Sequence, residues 1–583
     1  MTSKTVVNRY LSTLALFIAC LSVQGQPADF PPPPESTERA PGVVAGESID
    51  FELNDSEVFP GTQRMIGVYV PRAYDGQTPA CVAVFQDKLQ FNFDTVFDNL
   101  ISTGEMPVTI GVIVPPGKIP GTIEPGWRHN RTFEYDSPGD RYATFILEEV
   151  LPAVEKQTTS DGRPIRLSSS GNDRMIGGGS SGAAAAFNAA WARPEEFSRV
   201  FSAIGSYTGL RGSYAYPTLI HKTEPKPLRL FLQSGTNDMW TAFGDWWSAN
   251  NAMVRALAFA DYDFEYEFGE GKHSPSHGTA LFPRAMRYLW KDWPQPVQPG
   301  MKSRNHLLKQ TLWPNVRWTQ LPGDFPGATL VRADEVGNIF VSTPQGIVRC
   351  DENGKSLAKM GDGVFRTVDS DKTSWLRTQG DGTVERVSPD GKTVREILAR
   401  DLPVQALVES RSGDVYAAAS GKLWLLRAGH EPQVVDEGPV NIGGLAITGD
   451  GNWLAAFEAD TTRGFSYALQ PDGKLEYKQT FYVLHKADAD DSAEVRDAAA
   501  ETSKFGYVYV ATDLGVQICD ANGRSGAIVP LPDGVAAVSL CFGGRDFKTL
   551  YVLGVDGHLY SRPAKNSGAA PFRPAVKIEA RAG

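Results

Sequence analysis

Cysteine is scarce in this chain: five residues in 583, with Cys20 near the start and Cys81, Cys350, Cys519 and Cys541 far apart. That spacing makes no close-set metal motif, and a chain this long needs no disulfide scaffold to hold a core. Basic residues are in deficit as well. Lys and Arg number 57 against 68 Asp and Glu, a formal net charge of −11, which argues against a phosphate-backbone partner such as nucleic acid. No long basic run marks a membrane-surface helix, and no apolar run is long enough for a membrane span. What remains is a soluble globular composition, 41% apolar, with material for two sizeable cores.

The start of the chain reads as a targeting segment. Lys4 and Arg9 supply positive charge, Leu11 to Val23 is largely apolar, and Val23-Gln24-Gly25 has the small residues that a signal peptidase tolerates. The expectation is a signal peptide over 1–25 and a secreted or periplasmic protein, with lipid anchoring at Cys20 as the alternative. Residues 26–44 form a proline-rich leader.

The most informative stretch is Gly178-Gly179-Ser180-Ser181-Gly182. It follows the apolar segment from Arg174 and precedes the run Ala183 to Ala190, so a serine sits on a sharp turn between a strand and a helix. Such a turn needs small neighbours because the backbone at the nucleophile is crowded. The helix after it aims free N–H groups where an oxyanion would develop. A hydrolase of this design needs an acid and then a histidine later in the chain. Leu228 to Leu232 reads as a buried strand and Gln233 to Asp238 as the loop beyond it. Tyr262 to Phe268 reads as the next strand, running into Gly269-Glu270-Gly271-Lys272-His273, with a helix over 280–290 closing the unit.

Ser180 is then the nucleophile, His273 the base that takes its proton, and Asp238 the group that orients the imidazole. Asp245 is the alternative acid. His277 is the alternative histidine, spaced from His273 like a metal ligand, although Pro275 between them argues against a helix there and no third ligand cluster is visible. No metal or other cofactor is expected.

Several landmarks add to this: Val82-Ala83-Val84-Phe85-Gln86-Asp87, Asn130-Arg131-Thr132-Phe133-Glu134-Tyr135-Asp136 and Asp140-Arg141-Tyr142, followed by the elbow and the two loops. In these motifs Phe51 to Trp290 resembles the enterochelin-esterase-like branch of carbohydrate esterase family 1, which includes feruloyl and acetylxylan esterases. The resemblance implies an α/β-hydrolase fold and the triad Ser180, Asp238 and His273. The oxyanion hole is expected from the backbone N–H groups of Ser181 and Gln86, although Asp87-Lys88 stands where relatives often carry Asp-Gly. An Arg131–Glu134 interaction is expected as scaffold, with Arg131 kept as a substrate-binding candidate. Trp240, Trp246 and Trp247 flank the acid loop and are candidates for an aromatic or sugar pocket, or for ordinary core; Trp240 is the one carried forward as substrate-binding.

Beyond Trp290 the pattern changes. Pro294, Pro296 and Pro299 mark a connector over 296–322, after which short strands and turn residues recur about every forty residues, a propeller spacing. Strand cores stand at Ile339, Trp375, Val415, Trp453, Val508 and Leu550, and turns recur at Asp351 to Gly354, Pro389 to Gly391, Pro471 to Gly473 and Asp520 to Gly523. This part, and Tyr507 to Asp520 above all, resembles the gluconolactonase and regucalcin propellers. That family binds a divalent metal on the axis through a glutamate, an asparagine and an aspartate. Only Asp497 survives here: no glutamate is evident around Phe325-Pro326-Gly327, and Ile442-Gly443-Gly444 replaces the usual Pro-Asn-Gly. One carboxylate does not make a catalytic metal site.

The expected architecture is an α/β-hydrolase domain over 45–295 followed by an all-β six-bladed propeller over 323–575. The expected activity is a serine esterase acting on a carbohydrate ester or another small ester of acetyl or feruloyl type. A metal-dependent lactonase or a binding protein centred on the propeller is the alternative, and no protein partner is indicated.

Overall fold

A computed structural model describes residues 30–121, 126–438, 441–486 and 494–579. The expected signal peptide over 1–25 and Cys20 lie outside the described residues. The first domain is built on one eight-stranded sheet: β1 (Glu47–Leu53), β2 (Arg64–Val70), β3 (Cys81–Gln86), β4 (Thr109–Val114), β5 (Arg174–Gly179), β6 (Arg199–Ala203), β7 (Arg229–Asn237) and β8 (Asp263–Lys272). Their order is β1-β2-β4-β3-β5-β6-β7-β8. β2 is antiparallel to β1 and β4, and every other pair is parallel. This is an α/β-hydrolase sheet, and its parallel strands bring their carboxyl ends to one edge, where such sheets carry function.

The central strands are apolar throughout because helices cover both faces. β3, β5 and β6 are buried along their whole length. Helix α1 (Phe93–Ser102) packs under the sheet with α4 (Pro275–Leu289), while α2 (Ser181–Ala192) and α3 (Trp246–Ala260) lie against β5 and β7. The alanine run of α2 serves two needs. It is the strongest helix-forming composition, and its small side chains let the helix lie close over β5.

The described part of the leader is docked on this domain. Arg39 Nε donates to Asp98 at 2.7 Å, and Arg287 from α4 grips Glu35 through both Nη atoms at 2.9 and 2.7 Å. Phe30 stacks on the His277 ring with centroids 3.8 Å apart.

The second domain is a propeller of six four-stranded sheets covering 330–359, 364–399, 404–436, 442–483, 495–529 and 537–563. The six strand cores read from the sequence are the second strand of each blade, and the recurring Asp-Gly turns join third to fourth strands. Those turns need glycine: Gly354, Gly391, Gly473 and Gly523 all have φ between 72° and 84°. Ring closure comes from inside the connector. Thr319–Gln320 pairs antiparallel with the strand Leu559–Pro563, so a segment ahead of the first blade completes the last one.

The two domains are joined through the outer edge of the fifth and sixth blades. Thr223 bridges Ile528, Asn305 Nδ2 donates to both His221 O and Gly526 O, and Glu224 takes both Nη atoms of Arg562 at 2.6 and 2.7 Å. Arg562 is 1% exposed. A guanidinium this deep depends on its carboxylate partner, since removing one member strands the other charge. Glu224→Ala is therefore expected to lower stability by about 2 kcal/mol, with Glu224→Gln milder; urea unfolding of both variants checks this.

Candidate active site

Each group of the expected triad stands at the carboxyl end of a parallel strand: Ser180 after β5, Asp238 after β7 and His273 after β8. His273 Nε2 lies 2.9 Å from Ser180 Oγ, and His273 Nδ1 lies 2.5 Å from Asp238 Oδ1. The Asp238 carboxylate is shut off from solvent, while the imidazole is 19% exposed, so the base can meet a substrate and its orienting group cannot be drawn away by water.

Ser180 adopts φ 59° and ψ −127°, a strained conformation for a residue with a side chain. The glycines around it are a steric requirement. A Cβ on Gly178 would come within 2.8 Å of Gly182 backbone and of the Gln86 side chain, and one on Gly182 within 3.0 Å of Gln86 Cβ. At the start of α2, Ala183 N and Ala184 N donate to Ser180 O, at 3.0 and 3.2 Å. Ser181 N belongs to the first helical turn, whose N–H groups have no intrahelical acceptor and stand at the positive end of the helix dipole.

The Gln86 side chain lies against the elbow. With its amide nitrogen turned toward the elbow it donates to Gly177 O at 2.8 Å and Gly182 O at 3.0 Å. The neighbouring Asp87 N is engaged elsewhere, donating to Tyr135 Oη at 3.0 Å. The expected Arg131–Glu134 interaction is not formed. Glu134 instead accepts both Nη atoms of Arg64 in a wholly buried pair, along with the N–H of Gly117. Arg131 grips Asp87 with two bonds of 2.7 and 2.9 Å. Asp87 Oδ2 would be 3.2 Å from a Cβ on Gly182, beside the start of α2. A free carboxylate there would oppose an oxyanion, and Arg131 cancels its charge.

Asp245, the alternative acid, caps α3 by accepting from Trp247 N. His277, the alternative histidine, is in the first turn of α4, which Pro275 begins rather than prevents, since a proline at the first helical position loses no hydrogen bond. Its Nδ1 meets Gln233 Nε2 at 3.0 Å, away from Ser180. Trp240, on a two-stranded ribbon just after Asp238, is 86% exposed, whereas Trp246 is buried and Trp247 packs on Phe268.

Sequence reasoning missed two side chains here. Ser206, after β6, has its hydroxyl 3.2 Å from Ser180 Oγ; the signal available was its place just past a strand end, as for the triad. Asp136 is buried beside the Ser181 hydroxyl and the Arg131 charge. Burial raises it from the usual aspartate value of about 4 to about 7, with the Ser181 hydroxyl and the Arg131 charge offsetting part of the effect.

On the propeller axis the donor set does not suit a divalent cation. Asp497 Oδ1 accepts from Arg332 Nη2 at 2.8 Å and Ala498 N at 2.9 Å; its Oδ2 accepts from Arg332 Nη1 and Ser539 Oγ, both at 2.6 Å, and Leu540 N at 3.1 Å. The guanidinium stands where a cation would need to be. Arg366 adds a second charge beside it, and burial together with Arg332 lowers it to about 10. Gly443 and Gly444 bring no side-chain donor. Among the described residues no three His, Cys, Asp or Glu cluster as metal ligands.

Comparison with known proteins divides the chain in the same way. Residues 56–263 match the Esterase family model, and residues 407–555 match that of the SMP-30/Gluconolactonase/LRE-like region. Among solved structures, an enterobactin esterase from Shigella flexneri is 18% identical, covering 46% of this chain and 65% of that one, with a TM-score of 0.33. A feruloyl esterase module from Clostridium thermocellum is 15% identical, covering 47% and 96%, with a TM-score of 0.33. Regucalcin from Agrobacterium tumefaciens, a calcium-binding protein, is 12% identical, covering 44% and 95%, with a TM-score of 0.36. Among curated proteins none matches the chain.

Asp136 supplies a pH test. A carboxyl whose value is raised on folding binds more protons in the native state, so its contribution to stability is complete below about pH 4 and is lost as pH rises through about 7. Glu409 and Glu501, also pushed up to about 7 by burial, act in the same direction, so the comparison must be between variant and wild type. Asp136→Asn is expected to flatten the decline in unfolding free energy between pH 4 and 7; an unchanged slope would mean that Asp136 titrates normally.

The first domain, in which residues 56–263 match the esterase family model, is that of a carboxylic ester hydrolase, and it is joined to a six-bladed propeller in which residues 407–555 match the SMP-30/Gluconolactonase/LRE-like model.

Proposed function

We propose that the protein is an exported serine esterase that removes acyl groups, of acetyl or feruloyl type, from a carbohydrate or related ester. The observation that carries this reading is the line Ser180 Oγ, His273 and Asp238, with separations of 2.9 and 2.5 Å. In the reaction Ser180 Oγ attacks the ester carbonyl carbon while its proton passes to His273 Nε2. The carbonyl oxygen takes up the electron pair and is held by the N–H of Ser181, with that of Gln86 as second donor. Asp238 fixes the tautomer with hydrogen on Nδ1 and stabilises the imidazolium. Collapse expels the alcohol, protonated by His273. A water molecule, deprotonated by the same base, then releases the acid. Arg131 contributes by neutralising Asp87 rather than by touching substrate, and exposed Trp240 offers a flat face to a sugar or aromatic ring beside the acid loop.

Export rests on the residues of 1–25, with lipid anchoring at Cys20 as its variant. The propeller serves as a binding or cleft-shaping partner. A lactonase centred on it is disfavoured by the Arg332–Asp497 pair, which occupies the surviving ligand position.

Hydrolysis of acetylated xylan and of methyl ferulate by the mature protein tests both readings. Ser180→Ala is expected to abolish turnover, Asp238→Asn to lower kcat by at least about a thousandfold, and a chelator to leave it unchanged. Turnover that survives Ser180→Ala and disappears with chelator would move the chemistry to the propeller.

A further inference from the structure

Beyond the triad, a second line of hydrogen bonds ends on the nucleophile. Trp246 Nε1 lies 3.0 Å from Ser206 Oγ, and Ser206 Oγ lies 3.2 Å from Ser180 Oγ. Both residues are buried, Trp246 at 2% exposure and Ser206 at none. Ser206 is also tied through its backbone, donating its N–H to Ser180 O at 3.1 Å. Asn250 Nδ2 holds the turn beneath it by donating to Gly205 O and Trp246 O, each at 2.9 Å. The hydroxyl is therefore placed by two elements, the turn after β6 and the start of α3.

The direction of each bond follows from the donor chemistry. An indole N–H can only donate, so Ser206 Oγ accepts from Trp246. Its single proton is then free to point at Ser180 Oγ. The Ser180 proton goes the other way, to His273 Nε2, whose Nδ1–H is committed to Asp238. With the Ser180 proton on His273, as the triad requires, the protons from Trp246 to Asp238 all run in one direction.

We infer that Ser206 is a positioning residue for Ser180, donating a hydrogen bond that selects the reactive rotamer and leaves one lone pair free for attack. Ser180 Oγ carries Cβ, one proton and two lone pairs. With the proton on His273 and one lone pair on Ser206, the remaining lone pair has a fixed direction. During attack that pair forms the bond to carbonyl carbon, the carbonyl π pair moves to oxygen, and the Ser180 proton moves to His273. Ser206 keeps its own proton throughout. Its donation also strengthens as negative charge builds on Ser180 Oγ, both before attack and when Oγ leaves the acyl group on hydrolysis of the acyl-enzyme.

This rests on the triad reading, and the test separates the two. Ser206→Ala and the shape-preserving Ser206→Cys, whose thiol is a weak donor, are compared with wild type and Ser180→Ala on methyl ferulate. The readouts are kcat, KM, the rate of fluorophosphonate attachment to Ser180 and the unfolding midpoint. Loss of one neutral hydrogen bond is worth about a three- to tenfold fall in kcat. Both Ser206 variants should show it, with a matching fall in labelling rate and with KM unchanged; in Ser206→Ala the midpoint also falls, because the buried Trp246 Nε1–H loses its acceptor. Ser206→Thr, which keeps the hydroxyl, should recover part of the loss. A wild-type kcat in both variants, or a loss that tracks a raised KM, would overturn the assignment alone. Turnover retained in Ser180→Ala would overturn the triad reading and this assignment with it.

Discussion

Ser180 is held at positive φ with its backbone wedged between β5 and α2, and the arrangement of the first domain can be traced to keeping it there. The turn is tolerable only because Gly178 and Gly182 leave room for Gln86, whose side chain ties strand to helix. A strain of about 1–3 kcal/mol at such a residue persists only where the surroundings over-determine it. They do so here: Ser180 N donates to Ala203 O, and Ser180 O accepts from Ala183, Ala184 and Ser206. The backbone of Ser180 is thus held by β6 and α2 independently of its side chain.

Charge around that turn is arranged by the same economy of space. Three carboxyls, those of Asp87, Asp136 and Glu134, lie within one short segment of the oxyanion region or behind it, and each is handled differently. Glu134 is fully paired with Arg64, Asp87 is neutralised by Arg131, and Asp136 is protonated by burial up to about pH 7. The propeller axis shows the same logic: a buried aspartate is met by a guanidinium and a hydroxyl, so its charge is paired within the protein. Both cores are closed by charge pairing within the protein, and the bidentate Glu224–Arg562 pair extends that pairing across the domain boundary.

The elements legible in the sequence were those whose signal is local. The elbow glycines, the alanine run after them and the strand-then-loop patterns before Asp238 and His273 depend on residues adjacent in the chain. The six blades were legible for a related reason, since each repeats the same second strand and the same glycine turn. Pairings between distant residues were not legible. Arg131 and Glu134 are three apart and invite pairing, yet Asp87 just after β3 and Arg64 from β2 claim them, because those strands come together only in the folded sheet.

The sequence by itself determined the elements and the order of the chemistry: strand, serine, helix, then acid, then histidine, then a repeated β unit. Backbone sterics, helix propensity and turn chemistry act over a few residues and leave a local record. Only the tertiary structure decided which carboxylate faced which cation, that Ser206 and Trp246 line up on Ser180, and that the axis of the propeller holds an arginine against Asp497. Those outcomes depend on elements brought side by side from 26 to 165 positions away, a scale on which the chain carries no local mark of its partners.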